Sequence, residues 1–146
     1  MADKLSILFA CKANAGRSVT GKVLAEHYAS YAVDVFSAGS EPGGHVHPEV
    51  AAVLGSLGLS TEGESPKGFD PNGRYTAVIT MGCGEACPHY TGARYEDWGL
   101  DDPKGQDEQT VRRIIGEIDG RVRRLLGELV PDLQLPPSVF DRADAR

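Results

Sequence analysis

Residues 5–18 read Leu-Ser-Ile-Leu-Phe-Ala-Cys-Lys-Ala-Asn-Ala-Gly-Arg-Ser. Leu5 to Ala10 form a short, nearly continuous apolar run, the pattern of a strand buried on both faces. Cys11 to Arg17 interrupt it with small and polar residues. Val19, Val23, Leu24, His27, Tyr28 and Tyr31 then recur at helical spacing. A loop between a buried strand and a helix start can turn its backbone N–H groups inward and form an anion nest. Ala13, Ala15 and Gly16 let that backbone wrap closely, with Lys12 and Ser18 completing the candidate oxyanion loop. Arg17 offers a planar fork that matches a tetrahedral oxyanion in bidentate fashion. Cys11, at the mouth of the nest, feels the helix dipole and Arg17, and both favour the thiolate, the nucleophilic form. Asn14 is suited to hold the loop in shape, and Ser18 to donate to the sulfur. The bland alternative is a buried structural cysteine beside a surface arginine.

Outward from this stretch, strands and helices alternate. Val33 to Phe36 reads as a second strand, closed by Ser37-Ala38-Gly39. Glu41 to His47 is a Gly- and Pro-rich loop. Val50, Val53, Leu54 and Leu57 make a helical stripe after Pro48, which suits a first helical turn. Ser60 to Arg74 reads as loop, Tyr75 to Met81 as the clearest strand, and Ala93 to Trp98 as a short fourth strand. From Val111 to Leu129, spacings of three and four predict a long amphipathic helix. The period is lost from Val130, where Pro131, Pro136 and Pro137 appear. Residues 1–129 are therefore read as the domain and 130–146 as a mobile tail. The alternation implies a single α/β domain with a four-stranded parallel sheet and helices on both faces.

Composition narrows the function. The chain has 146 residues, 40% hydrophobic and 25% charged, enough for an ordinary core without a metal or disulfide. Its net charge of −6 argues against a general nucleic-acid binder. No apolar run reaches transmembrane length, and Met1 to Leu5 is too short for a signal peptide. Three cysteines are too few, and odd in number, for a secreted disulfide scaffold, which points to a reducing cytosol.

In a parallel α/β sheet, ligands sit beyond the carboxyl ends of the strands. Cys11–Arg17, Gly82–Gly92 and Asp101–Gln106 all leave such ends. Between them they hold every cysteine and an Asp-Asp-Pro. Cys83 and Cys87 lie in Gly-Cys-Gly-Glu-Ala-Cys-Pro. If that segment is briefly helical, their Cα atoms stand about 6 Å apart, within disulfide range. Pro88 pushes Cys87 out of helical conformation. A redox pair, unrelated buried thiols, and a zinc site from Cys83, Cys87, His89 and Cys11 are the readings open here. Asp102 precedes Pro103, which favours a side chain aimed from a loop. The alternative is a solvated turn.

Cys11-x5-Arg17-Ser18 after an amino-terminal strand resembles the phosphate-binding loop of the low-molecular-weight protein tyrosine phosphatase fold. Ser37-Ala38-Gly39, Val78-Ile79-Thr80-Met81 before a cysteine, and Trp98-Gly99-Leu100-Asp101-Asp102-Pro103 resemble its arsenate reductase branch, in order. The resemblance implies arsenate as substrate, with phosphate or sulfate competing. It implies Cys11 as nucleophile, Arg17 as oxyanion ligand, and Asp102, rather than Asp101, as general acid. Cys83 and Cys87 would then relay a disulfide to an external reductant. Thioredoxin is the first choice and a low-molecular-weight thiol the second, with no bound cofactor or metal and a cytoplasmic monomer expected. Phosphatases of this fold follow Asp-Pro with tyrosine, and this chain has Lys104-Gly105. Some members hold a potassium ion with Asn, Glu, Ser and Asp. Asn14 and Ser37 match, but Lys22 stands where the Glu is expected. Gly16 takes the place of a further cysteine found in some members. The rivals are a phosphatase acting on aryl phosphates and a non-catalytic thiol module binding zinc or arsenite.

Overall fold

The computed structural model describes residues 4–141 apart from Pro88. Four strands form one parallel sheet in the order β2-β1-β3-β4: β1 (Leu5–Cys11), β2 (Val33–Gly39), β3 (Ala77–Met81) and β4 (Arg94–Asp97). Three helices accompany them: α1 (Arg17–Ala29), α2 (Pro48–Ser56) and α3 (Glu108–Leu129). Each matches a stretch with the expected periodicity. α3 begins three residues before its apolar stripe because Asp107 caps it, accepting from the Thr110 N–H at 2.8 Å.

Alternation along the strands divides the core. Ile7, Phe9 and Ile79 face one way and meet the apolar residues of all three helices, among them Leu24, Leu54 and Ile115. Leu8, Ala38 and Val78 face the other way. They are covered by Phe69, Tyr75 and Tyr90 from loops and by Tyr95 of β4. The expected fold class holds, with one correction: helices cover one face, and an aromatic layer carried by loops and the edge strand covers the second. The physical reason is that bulky rings of the long 57–76 connection fill the space a helix would occupy, with Tyr75 and Tyr90 in edge contact.

The stretch read as a mobile tail is tied to the core as far as Asp141. Val139 is fully buried, and its N–H donates to Tyr28 Oη at 3.0 Å. Buried Asp119 accepts from Tyr28 Oη at 2.5 Å and from Ser138 Oγ at 2.6 Å. A buried carboxylate on α3 needs such donors, and the carboxy-terminal segment supplies one of the two. Residues 142–146 of the expected tail lie outside the described residues.

Candidate functional site

β1 ends at Cys11, whose side chain is 2% exposed and whose thiol is free. The carbonyls of Cys11, Lys12, Ala13 and Ala15 accept from the N–H groups of Ser40, Glu41, Gly43 and His47 at 2.8–3.2 Å. Peptide planarity sets each carbonyl opposite the next N–H. The amides of residues 12, 13, 14 and 16 are thereby turned to the concave side of the loop, as an anion nest requires. One of them, from Asn14, donates to Cys11 Sγ at 3.3 Å.

Asn14 organises this loop. It is fully buried with φ +50°, a left-handed conformation that asparagine tolerates. Its Oδ1 accepts from the Lys67 N–H at 3.0 Å, and its Nδ2 donates to Ser18 Oγ at 2.7 Å. Ser18 Oγ lies 3.0 Å from Cys11 Sγ. When Cys11 is a thiolate it has no proton to give, and the hydroxyl, held by Asn14, is then the donor to the sulfur. Gly39, the register partner of Cys11 on β2, backs the loop. A Cβ there would stand 2.5 Å from the Lys12 carbonyl oxygen, so only glycine fits.

Arg17 opens α1 and carries its guanidinium over the mouth of the nest. Nη1 donates to the Leu100 carbonyl at 3.4 Å, and Nη2 lies 3.7 Å from Asp102 Oδ2. Gly82, with φ +99°, lies beneath it, and a Cβ there would stand 2.4 Å from Nη1. Asp102 Oδ1 accepts from the Lys104 N–H at 3.0 Å. Buried Pro103 fits against Gly16, and Glu49 Oε2 accepts from the Gly105 N–H at 2.8 Å. The Glu49 carboxyl is held below its ordinary value, first by its own backbone N–H and then by that of Gly105. Asp101 is drawn the other way, to Arg113 at 3.2 Å. Of the two adjacent acids, Asp102 is the one beside Arg17.

Cys83 and Cys87 form a disulfide with Cα atoms 5.3 Å apart, spanning a single 3-10 turn at Gly84–Ala86. Of the three readings, the structure takes the redox pair. Two sulfurs bonded to each other are not thiolates, so in this state they cannot be zinc ligands. Cys83 is 8% exposed and Cys87 is half-buried. Cys87 is extended (φ −72°, ψ 132°), as a residue before proline should be, while Pro88 itself lies outside the described residues. β3 pairs with β1 so that Met81 registers with Cys11. Cys83 therefore begins its loop two residues beyond the strand position beside the free thiol.

Cys11, Arg17 and Asp102 line a cleft of about 310 Å³. Lys104, already marked in the sequence where phosphatases carry tyrosine, lines it too, as do Glu41 and His47, which sequence reading missed. The available signal was topological. The loop after β2 leaves the same carboxyl edge as the other three, so Glu41–His47 belonged among the candidates. At the expected potassium position, Lys22 Nζ lies 2.9 Å from Glu26 Oε1 and 2.8 Å from Glu64 Oε2. Burial lowers the Lys22 pKa, but the hydrogen bonds and charges of Glu64 and Glu26 outweigh it and raise the pKa overall.

Residues 6–135 match the low molecular weight phosphotyrosine protein phosphatase family. A putative arsenate reductase of Halobacterium salinarum is 34% identical over 131 residues, covering 85% of this chain and 92% of that protein. Among solved structures, a thioredoxin-dependent arsenate reductase of Corynebacterium glutamicum is 40% identical with a TM-score of 0.77. The match covers 88% of this chain and 64% of that longer one. An arsenate reductase of Archaeoglobus fulgidus is 30% identical with a TM-score of 0.72, covering 83% and 98%. No described helix is long and apolar enough to cross a membrane.

Proposed function

The chain belongs to the low molecular weight phosphotyrosine protein phosphatase family, and on that premise we propose that it reduces arsenate to arsenite with thioredoxin as its reductant. The observation that carries this reading is the pairing of the sulfurs. Cys11 is free inside the anion loop, and Cys83 is joined to Cys87 on the loop after the neighbouring strand. A phosphatase uses only the first of these features. A relay uses both, and this pairing is the one a completed relay leaves behind.

Arsenate enters the nest of amides 12, 13, 14 and 16 and the fork of Arg17. The Cys11 thiolate, steadied by Ser18 and the Asn14 N–H, attacks arsenic. Asp102 gives a proton to the departing oxygen, which leaves as water. The Cys83 thiolate then attacks Cys11 Sγ. The S–As bond breaks with its electron pair on arsenic, As(V) becomes As(III), arsenite leaves, and Cys11–Cys83 forms. The Cys87 thiolate attacks Cys83, releasing the Cys11 thiolate and leaving Cys83–Cys87. A dithiol reductant reduces that bond by the same exchange. Thioredoxin is favoured over a small thiol because Cys87 is the more accessible sulfur of a preformed intramolecular disulfide. Relay and reductant together imply a reducing cytosol. Aryl phosphate hydrolysis is a side activity of the same nucleophile.

The test is arsenate-dependent NADPH oxidation with thioredoxin and thioredoxin reductase, run beside a small-thiol system. Cys11→Ser should abolish both arsenate reduction and aryl phosphate hydrolysis. Wild-type protein that hydrolyses aryl phosphates but reduces no arsenate with either reductant would make the chain a phosphatase and overturn the reading. Stoichiometric zinc in the purified reduced protein, with neither activity, would favour the thiol module.

A further inference from the structure

The catalytic cleft is lined by four nitrogenous side chains, Lys12, Arg17, His47 and Lys104. Two of them face carboxylates across it: Lys12 lies 3.6 Å from Glu41 and Arg17 lies 3.7 Å from Asp102. Among the described residues Lys104 has no ion pair. Its backbone is nevertheless pinned. The Lys104 N–H donates to Asp102 Oδ1, buried Pro103 precedes it, and the Gly105 N–H that follows donates to Glu49. The ammonium is thus an exposed charge with no ion-pair partner among the described residues, on a fixed stem beside Asp102. Lys104 and His47 also line an adjoining cleft of about 380 Å³, so together they form the ridge between the two. His47 is fixed to the loop, with its N–H on the Ala15 carbonyl at 2.8 Å and its ring against Gly16.

We propose that Lys104 is the specificity-determining residue of this cleft: its ammonium contacts the outer oxygens of a bound free oxyanion and selects arsenate over phosphate monoesters. The inference rests on the arsenate reductase reading. The inner oxygens of a tetrahedral anion are taken by the nest and by Arg17. The oxygen pointing out of the cleft meets Lys104. In a free oxyanion that oxygen is charged or hydroxylated and accepts a charge-assisted hydrogen bond. In a monoester the same position carries the organic group, which desolvates the ammonium without pairing it. The cleft wall offers no phenyl, phenol or indole ring on which an aryl group could stack. His47 completes the rim as the wall against which the anion is placed.

The test compares wild type with Lys104→Gln, Lys104→Arg and Lys104→Tyr. Each is assayed for arsenate reduction, for 4-nitrophenyl phosphate hydrolysis, and by calorimetry for inorganic phosphate binding. Lys104 is exposed, so melting temperatures should stay within about 2 °C of wild type, as expected for a surface substitution. Lys104→Gln should raise the arsenate KM about tenfold with kcat within about twofold, and weaken phosphate binding about tenfold, the loss of one charge-assisted contact. Lys104→Arg should recover most of both. Lys104→Tyr should shift the ratio of kcat/KM for the aryl phosphate over arsenate upward by at least about tenfold. An unchanged KM and phosphate affinity in Lys104→Gln overturns the proposal, and so does an equal loss on both substrates. If the wild type reduces no arsenate, the function reading fails separately, and the phosphate and aryl phosphate arms still decide the role of Lys104.

Discussion

Asn14→Asp separates folding from chemistry at the centre of the anion loop. The two residues are nearly isosteric, and aspartate also tolerates the left-handed conformation at φ +50°. Its carboxylate still accepts from the Lys67 N–H, as Asn14 Oδ1 does at 3.0 Å. What it cannot do is donate to Ser18 Oγ, as Nδ2 does at 2.7 Å. The Ser18 hydroxyl then gives its proton to the introduced carboxylate rather than to Cys11 Sγ, 3.0 Å away. The new negative charge stands within about 6 Å of the sulfur. At an effective dielectric of about 20, two unit charges at that distance repel by about 3 kcal/mol, and the lost hydrogen bond to a charged acceptor adds about 1.5 kcal/mol or more. Together these should slow alkylation and turnover by at least about a hundredfold. The melting temperature should fall as well, since a charged carboxylate replaces a neutral amide at a fully buried position, so alkylation is compared at a temperature where both proteins are folded. The assay is Cys11 alkylation by iodoacetamide at pH 7, with Cys83 and Cys87 oxidised, followed by mass mapping. Turnover is measured in parallel. Alkylation and turnover within about threefold of wild type would refute the assignment of Ser18 and Asn14 as the groups that steady the thiolate.

Arg17→Lys should cut kcat/KM for arsenate by at least about a hundredfold, because lysine keeps the charge but loses the planar fork. Steady-state kinetics check it. Glu96 is pushed up by burial, but hydrogen bonds from Arg124, Trp98 and Arg94 prevail and lower it from 4.5 to about 2. A depressed carboxyl stabilises the fold above its unfolded value and loses that contribution as pH falls. Denaturant titrations of wild type should therefore lose stability between about pH 4.5 and 2, and Glu96→Gln should flatten that part of the curve. Lys22, with its ammonium between Glu26 and Glu64, already places a cation there. Melting temperatures in potassium and in sodium at equal ionic strength should agree within about 1 °C, since both salts only screen. Cys87→Ser should release one equivalent of arsenite and accumulate Cys11–Cys83 by mass mapping, then fail in multiple turnover with thioredoxin.

What the sequence made legible was local. Cys11, Asn14, Arg17 and Ser18 sit within one strand-loop-helix unit, so their meeting at one loop followed from spacing and residue chemistry. The relation of Cys83 to Cys87 was legible for the same reason, four residues apart on one turn. Contacts made by the tertiary fold were not legible. Asp102 stands out from Asp101 in the chain by preceding Pro103, but the contact that keeps Asp101 out of the cleft does not: Arg113, on the far side of the acid loop, draws it away. Glu49 holds that loop from α2, 56 residues distant. The loss of helical period after Val130 was read as freedom. In fact Val139 and Ser138 anchor the segment to Tyr28 and Asp119, a contact that sequence pattern does not encode. The second face of the sheet misled for a related reason: rings scattered at Phe69, Tyr75, Tyr90 and Tyr95 have no period, yet together they cover it.

The strand order accounts for the union of two chemistries in so short a chain. β1 lies between β2 and β3, so Cys11 has Gly39 on one side and Met81 on the other. Gly39 permits the close approach that shapes the nest. Past Met81, Gly82 passes beneath the Arg17 guanidinium, and the next residue is Cys83. A Cβ at residue 82 would stand 2.4 Å from the end of the Arg17 side chain, and at φ +99° any residue but glycine would also be strained there. The positive φ calls for glycine there, and its missing side chain leaves room for the Arg17 guanidinium. The oxyanion fork and the dithiol loop share that contact. A substitution at Gly82 should therefore shift the Arg17 guanidinium, whereas Cys87, four residues beyond Cys83 and more exposed, can be changed without touching the anion loop.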